Sequence, residues 1–237
     1  MDNVLKTQFY GANQDYEKSL ILMHEHHKAL CLDKSSNFLM LLEYKPVITY
    51  TRQHGHKSIT SCEKNILADN IALCEADRGG DVTFHGPGQL VGYPIIKLKN
   101  VGANSIDVSF YMKNLQNALL NSCFELGIAD ALLLPGKSGI WIKTYEHNLV
   151  KLKKLIAIGV GLSNGVTKHG FAFNIDIDYS RYVKHITPCG LKGCGVITMK
   201  EIFNDLNQDL PNYESIWHCI SKNVASNFGL TLKFGKI

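Results

Sequence analysis

A chain of 237 residues and 26.4 kDa is long enough to bury one sizeable core, and 45% hydrophobic with 19% charged residues is ordinary for a water-soluble domain. A net charge of +4, a pI near 8.6 and the absence of any run of five Lys/Arg residues exclude a dedicated nucleic-acid binder, while leaving a surface suited to an acidic partner. The seven cysteines are odd in number and follow no repeated spacing, so reduced thiols in a reducing compartment are expected. The first residues lack a signal or transit pattern, and apolar stretches such as residues 38–42 are too short to span a bilayer. These features predict a cytoplasmic protein with one domain over residues 1–237 and no nucleic-acid or membrane partner; a monomer with no metal or cofactor is a separate expectation.

In chain order, residues 14–32 read as an amphipathic helix with Tyr16, Leu20, Met23, His27 and Leu30 on one face and Asn13 as its cap. Residues 38–43 and 47–51 read as strands broken at Lys45-Pro46, and 71–75 as a short strand entering a Gly-rich stretch. Residues 90–98 read as a further strand. A second long helix covers 106–126, with Val108, Tyr111, Met112, Leu115, Leu119 and Phe124 apolar and Gly127 ending it. Residues 140–142, 154–162 and 171–177 are strand-like with imperfect alternation. Helices over 199–206 and 213–228 and a strand over 230–234 close the chain, and no linker marks off this C-terminal fifth. Helices and strands without regular βαβ repetition predict an α+β fold with a mixed β-sheet and flanking helices.

His24, His26 and His27 stand near Cys31 on the first helix, and the ligand order fits no zinc pattern, so a surface cluster is expected there. The most informative stretch is residues 78–89, with four glycines, a proline, an arginine and a histidine in twelve residues. Glycines at this density either build a tight hairpin or let the backbone approach a ligand with its N–H groups exposed. It lacks the Gly-Lys-Ser/Thr of a Walker loop and the dinucleotide fingerprint. Arg78 and His85 tilt the reading towards a substrate site.

From Arg78 to Pro94 the run RGGDVTFHGPGQLVGYP resembles the signature of the octanoyltransferases of lipoate synthesis. Three further segments agree in order: KLIAIG from Lys154, GVTKHGFAFN from Gly165, and ITPCGL from Ile186. With weaker agreement at Pro46-Val47 and Gly139-Ile140-Trp141-Ile142, the likeness covers roughly residues 5–205. It implies a fold like that of biotin and lipoate ligases, related to class II synthetases. It also implies transfer of an octanoyl group from octanoyl-acyl-carrier-protein to a lysine on a lipoyl domain, of a 2-oxoacid dehydrogenase complex or of the glycine-cleavage H protein. Cys189 is then the nucleophile and Lys154 its partner. Substrate contacts fall to Arg78, Gly79, Gly80, Asp81, Val82, Thr83, Phe84 and His85, to Ala157, Ile158 and Gly159, and to Gly170, Phe171 and Ala172, with His169 auxiliary.

The chemistry suits a thiol. The donor is a thioester, so acylating a cysteine exchanges one thioester for another and leaves an acyl group that an amine can still attack. A free thiol is mostly protonated at neutral pH and needs a cationic or basic neighbour. His85 and His169 are expected to donate hydrogen bonds, to orient the lysine, or to serve as structural residues. Only register against Ala157-Ile158-Gly159 separates Lys154 from Lys153, and Cys194 stands five residues after Cys189.

Two departures from the family pattern stand out. Residues 161–164 (Gly-Leu-Ser-Asn) lack the usual arginines, leaving Lys151, Lys153, Lys168, Lys184 and Lys192 as substitutes, and Thr51 stands where glycine is usual. The rival readings are an ATP-dependent lipoate or biotin ligase, which needs no nucleophilic cysteine, and a non-catalytic acyl- or carrier-binding protein.

Overall fold

The computed structural model describes residues 3–53, 55–146, 149–187 and 194–235. Cys189, and Lys192 with it, lie outside the described residues. The strands are β1 (Val4–Phe9), β2 (Asn37–Leu42), β3 (Val47–Tyr50), β4 (Ala72–Glu75), β5 (Thr83–His85), β6 (Gln89–Ile95), β7 (Ala131–Leu134), β8 (Lys137–Glu146), β9 (Leu149–Ser163), β10 (Val166–Asn174), β11 (Gly195–Val196) and β12 (Thr231–Phe234). The helices are α1 (Tyr16–Cys31), α2 (Glu63–Ala68), α3 (Val108–Glu125), α4 (Met199–Asp205) and α5 (Tyr213–Asn227).

A large sheet runs β12-β1-β2-β6-β10-β9-β8-β7, with β11 added beside β9, and a small sheet runs β4-β3-β5. In the large sheet β1 pairs parallel with β2 and β12, while β2-β6-β10-β9-β8-β7 is antiparallel, so the sheet is mixed as expected. Helices cover both faces. Phe38, Met40 and Leu42 of β2 meet α1 residues Tyr16, Met23 and Leu30 on one side. Leu39 and Leu41 meet Leu115 and Leu119 of α3 and Ile220 and Val224 of α5 on the other. A strand covered on both faces buries every residue, which is why β2 shows no polar alternation. The C-terminal fifth shares this core: β12 pairs with β1, and Met199, Phe203, Ile216 and Trp217 pack with α3.

Asp15 caps α1 rather than Asn13, accepting a hydrogen bond from the Lys18 N–H at 3.1 Å. Asn13 has φ of +57° and so cannot supply the extended backbone a cap requires. The second long helix starts later than its apolar pattern suggests. Asp107 accepts the Phe110 N–H, which leaves Ile106 exposed ahead of the helix. Gly127 ends it with φ of +92°, and the Ile128 N–H returns to the Cys123 carbonyl at 2.8 Å. Strands β1, β5, β7 and β11 and helix α2 are additions to the elements read from sequence; all are short.

The feature that shapes the site is a β-bulge. Ile140 of β8 pairs with Ile156 of β9, and the next residue, Trp141, pairs with Lys154. Leu155 is therefore an extra residue on β9, and one extra residue reverses which side chains face which side. Ile156 and Ile158 face the α3/α5 core, while Lys154 joins Ala157 and Gly159 on the opposite side. Gly139 sits against this bulge with φ of +107°, and a Cβ there would collide with the Ile156 carbonyl oxygen. Gly139→Ala is expected to cost about 2–4 kcal/mol in stability, through positive φ and backbone overlap together. Urea unfolding checks this; a loss within about 0.5 kcal/mol of zero would mean that the bulge tolerates a side chain.

Candidate active site

The middle of β9 and β10 carries almost no side chain on one face. Ala157 pairs with Ala172 and Gly159 with Gly170, which makes a shallow floor. Bulk at Gly170 would strike the Gly92 carbonyl, and a Cβ at Gly159 would sit 3.0 Å from the Gly79 carbonyl oxygen. The space above the floor is a cavity of about 560 Å³, within the usual range for small-ligand sites.

The Gly-rich loop forms one wall and is tied down at several points. The Gly79 N–H donates to the Val160 carbonyl of β9 at 2.8 Å. Arg78 donates to the Thr49 carbonyl (3.1 Å) and hydroxyl (3.0 Å) and to the Gly79 carbonyl (3.1 Å). The Thr51 hydroxyl donates to the Gly80 carbonyl at 3.0 Å, a bond that a glycine at this position could not make. Ser58 bonds Asp81 from the facing segment. Gly80, at φ of +96°, supplies a left-handed turn in the loop.

Arg78, Gly79, Gly80, Asp81, Val82, Thr83, His85, Lys154, Ala157, Ile158, Gly159, His169, Gly170, Phe171 and Ala172 all line the cavity. Phe84 departs from expectation. On a strand its side chain points opposite to those of Thr83 and His85, and its ring stacks on Tyr182 in the core beneath the small sheet. Tyr16, Lys57, Ser58, Val91, Tyr93 and Ser138 also line the cavity and were not singled out from sequence. Tyr16 read as one more apolar residue of a helix face; Lys57, Ser58 and Ser138 carry no local signal.

The two neighbouring lysines face different surroundings. Lys154 is 8% exposed inside the cavity, with its Nζ 4.6 Å from the centre of the fully buried Trp141 ring. Lys153 pairs with Ile142 and with Gly195, on the other side of the ladder. The two ends that flank Cys189 are both anchored beside the cavity. The Thr187 N–H donates to the Ser58 carbonyl at 2.8 Å, and Val196 pairs with Lys154 in β11. Cys194 lies 3.9 Å from the Lys137 Nζ.

A buried polar relay runs from the Gly-rich segment to Lys154. The Lys154 carbonyl can only accept, and it receives the Asn174 amide at 3.4 Å, which orients that side chain. The Asn174 oxygen then accepts the Gln89 amide at 2.9 Å, and the Gln89 oxygen accepts the His85 Nδ1–H at 2.7 Å. This order fixes the His85 tautomer. Burial pushes its pKa down to about 3, partly opposed by the Gln89 bond, so the ring is neutral at pH 7. His85 therefore keeps Nε2 as an acceptor, and its single N–H is already used.

His169, at φ of +56°, holds the opposite wall and donates from Nε2 to Asp77 at 2.6 Å. Burial lowers the His169 pKa while Asp77 opposes the shift. The His169 bond holds the Asp77 carboxyl well below the usual carboxylate range, with burial opposing and Lys168 assisting. Lys168 is thereby engaged with Asp77, and Lys184 with Asp69, so neither is a free docking cation. The histidines of α1 do not form a solvated cluster: His27 bonds the Ser163 and Val166 carbonyls, His26 stacks on Phe38, and His24 faces Asp77. Among the described residues no three His, Cys, Asp or Glu side chains converge as a metal site, and no helix is long and apolar enough to cross a membrane.

The mixed sheet with flanking helices is a fold shared with lipoate- and biotin-protein ligases. The bipartite lipoate protein ligase of Thermoplasma acidophilum superposes with a TM-score of 0.71 at 13% identity, over 100% of this chain and 88% of that one. Biotin protein ligase from Aquifex aeolicus follows at 0.51 and 11% identity, over 95% and 70%. Residues 15–216 match the lipoyl protein ligase A/B catalytic domain. The octanoyltransferase of Clostridium kluyveri is 38% identical over 179 residues, covering 73% of this chain and 71% of that protein. The chain belongs to the lipoyl protein ligase A/B family and is an acyltransferase of its octanoyltransferase branch.

The neutral, buried His85 makes acid costly. Its folded pKa is depressed below the unfolded value near 6.5, so its contribution is complete above that value and is lost as pH falls towards about 3. Between pH 7 and pH 5 this should remove about 2 kcal/mol of unfolding free energy, and His85→Gln should lose correspondingly less over the same interval. Urea titrations of both proteins at the two pH values check it; parallel losses would sink the assignment.

Proposed function

We propose that this enzyme transfers an octanoyl group from octanoyl-acyl-carrier-protein to the lysine of a lipoyl domain through a thioester on Cys189. The supporting observation is Lys154, buried in a cavity whose rim carries both anchored ends of the segment containing Cys189. In the first half-reaction the Cys189 sulfur attacks the donor carbonyl, the carbon–sulfur bond to the carrier breaks, and the thiol proton ends on the carrier sulfur. In the second, the acceptor amine attacks the acyl-cysteine, an amide forms, and the amine proton returns to the cysteine sulfur.

The Lys154 charge would favour the thiolate and then the oxyanion of each tetrahedral intermediate. The loop and floor backbone, unobstructed by side chains, can approach the same oxygen. The Nε2 lone pair of His85 would accept an N–H of the attacking amine and orient it. The reaction takes place in the cytoplasm and uses no ATP, because the donor thioester is already activated.

Incubation with octanoyl-acyl-carrier-protein should add one octanoyl mass. The adduct should vanish in Cys189→Ala and persist in Cys194→Ala, as read by intact-mass spectrometry. An active protein that never carries the adduct, or an activity that needs ATP and survives Cys189→Ser, would overturn the reading. Lys154→Met should fold and lose transfer by at least ~10³-fold, while Lys153→Met stays within about threefold of wild type. Equal losses would show that the cavity lysine has no special part.

A further inference from the structure

Lys154 is a cation withdrawn from water, and withdrawal of a charge has to be compensated. Among the described residues no carboxylate forms an ion pair with it. What it meets is the face of Trp141, with Nζ 4.6 Å from the ring centre and the ring wholly buried. The contact is built by the fold, since the Leu155 bulge makes these two residues direct cross-strand partners. A second observation points the same way. Among the described residues the buried Trp141 indole N–H has no hydrogen-bond partner. An orphaned buried donor is unfavourable, and phenylalanine or leucine would fill much of the space without one. Tryptophan offers what they do not: the strongest cation–π face among the side chains.

We propose that Trp141 is a positioning residue for octanoyl transfer: its ring seats the Lys154 ammonium without neutralising it. A carboxylate in that place would hold the lysine equally well but would cancel its field at the reacting sulfur and carbonyl oxygen. An aromatic face offsets the lost hydration and carries no net charge, so the full positive charge remains directed into the cavity. The charged groups and histidines that share this environment among the described residues are Lys137, whose Nζ lies 5.7 Å from the same ring, and Lys57, Arg78, Asp81, His85 and His169 on the cavity wall, with the phenols of Tyr16 and Tyr93 beside them. This inference rests on the reading above only in taking Lys154 as the reacting lysine.

The test exploits the presence of two tryptophans in the chain. In a Trp217→Phe background, which replaces a core aromatic distant from the cavity chemistry, Trp141 is substituted biosynthetically with mono-, di- and trifluorotryptophan. Fluorine drains the ring's negative face with little change of shape. The logarithm of the maximal transfer rate should fall stepwise with fluorine number, roughly three- to tenfold across the series, while the half-saturating donor concentration holds. The melting temperature should fall in parallel, and Lys154→Met, but not Lys137→Met, should abolish that dependence. Rate and melting temperature both indifferent to fluorine would overturn the proposal. Fluorine-dependent melting with a fluorine-independent rate would also overturn it, leaving the ring as a structural contact. A fluorine-dependent rate in an enzyme that never forms the Cys189 adduct would support Trp141 while removing the thioester reading, so the two fail separately.

Discussion

One extra residue in β9 governs the geometry of this site. A strand alternates its side chains strictly, so without Leu155 as a bulge Lys154 would face the same side as Ile156 and Ile158, into the hydrophobic core. An unpaired lysine there would be several kcal/mol unfavourable. With the bulge, Lys154 turns onto the floor of Ala157 and Gly159 and across from Trp141. The same reversal lets β9 serve two purposes along one length, closing the α3/α5 core and lining a polar cavity. Gly139 is the local concession that lets the neighbouring strand approach the displaced backbone.

Behind that lysine the buried polar groups form a hydrogen-bonded relay. The relay from Lys154 through Asn174 and Gln89 to His85 contains no ionised member, so it orients groups without adding a field. The Asp77 carboxylate is engaged by His169 and Lys168. Buried networks of this kind are stable only when each member is satisfied. Here that satisfaction comes from carbonyls and amides on β9, β10 and β6, elements held rigid by the sheet itself.

Much of the fold was legible in the pattern of residues. The long helices were readable because one face of each carries apolar residues at three- and four-residue spacing, and those faces, Tyr16-Met23-Leu30 and Tyr111-Leu115-Leu119, are the buried ones. Strand edges in the second half were not, because β8, β9 and β10 are covered on both sides or bulged, and their residues do not alternate. The short strands β1 and β5 depend on partners far away in the chain, and β7 is only four residues long, so none leaves a local period. Most of the cavity wall was readable for another reason: glycine density and the run of small residues mark places where backbone must come close. Phe84 was misplaced because a motif carries residues in sequence, whereas a strand sends alternate ones to opposite faces.

The sequence by itself determined the family and the candidate residues, since these depend on residue types and their order. Only the tertiary structure placed Lys154 rather than Lys153 in the cavity, fixed the His85 tautomer, paired Lys168 with Asp77, and set Trp141 against the Lys154 side chain. Each of those outcomes depends on which strands pair and in what register. Register is a property of two distant segments meeting, and no reading along a single chain contains it.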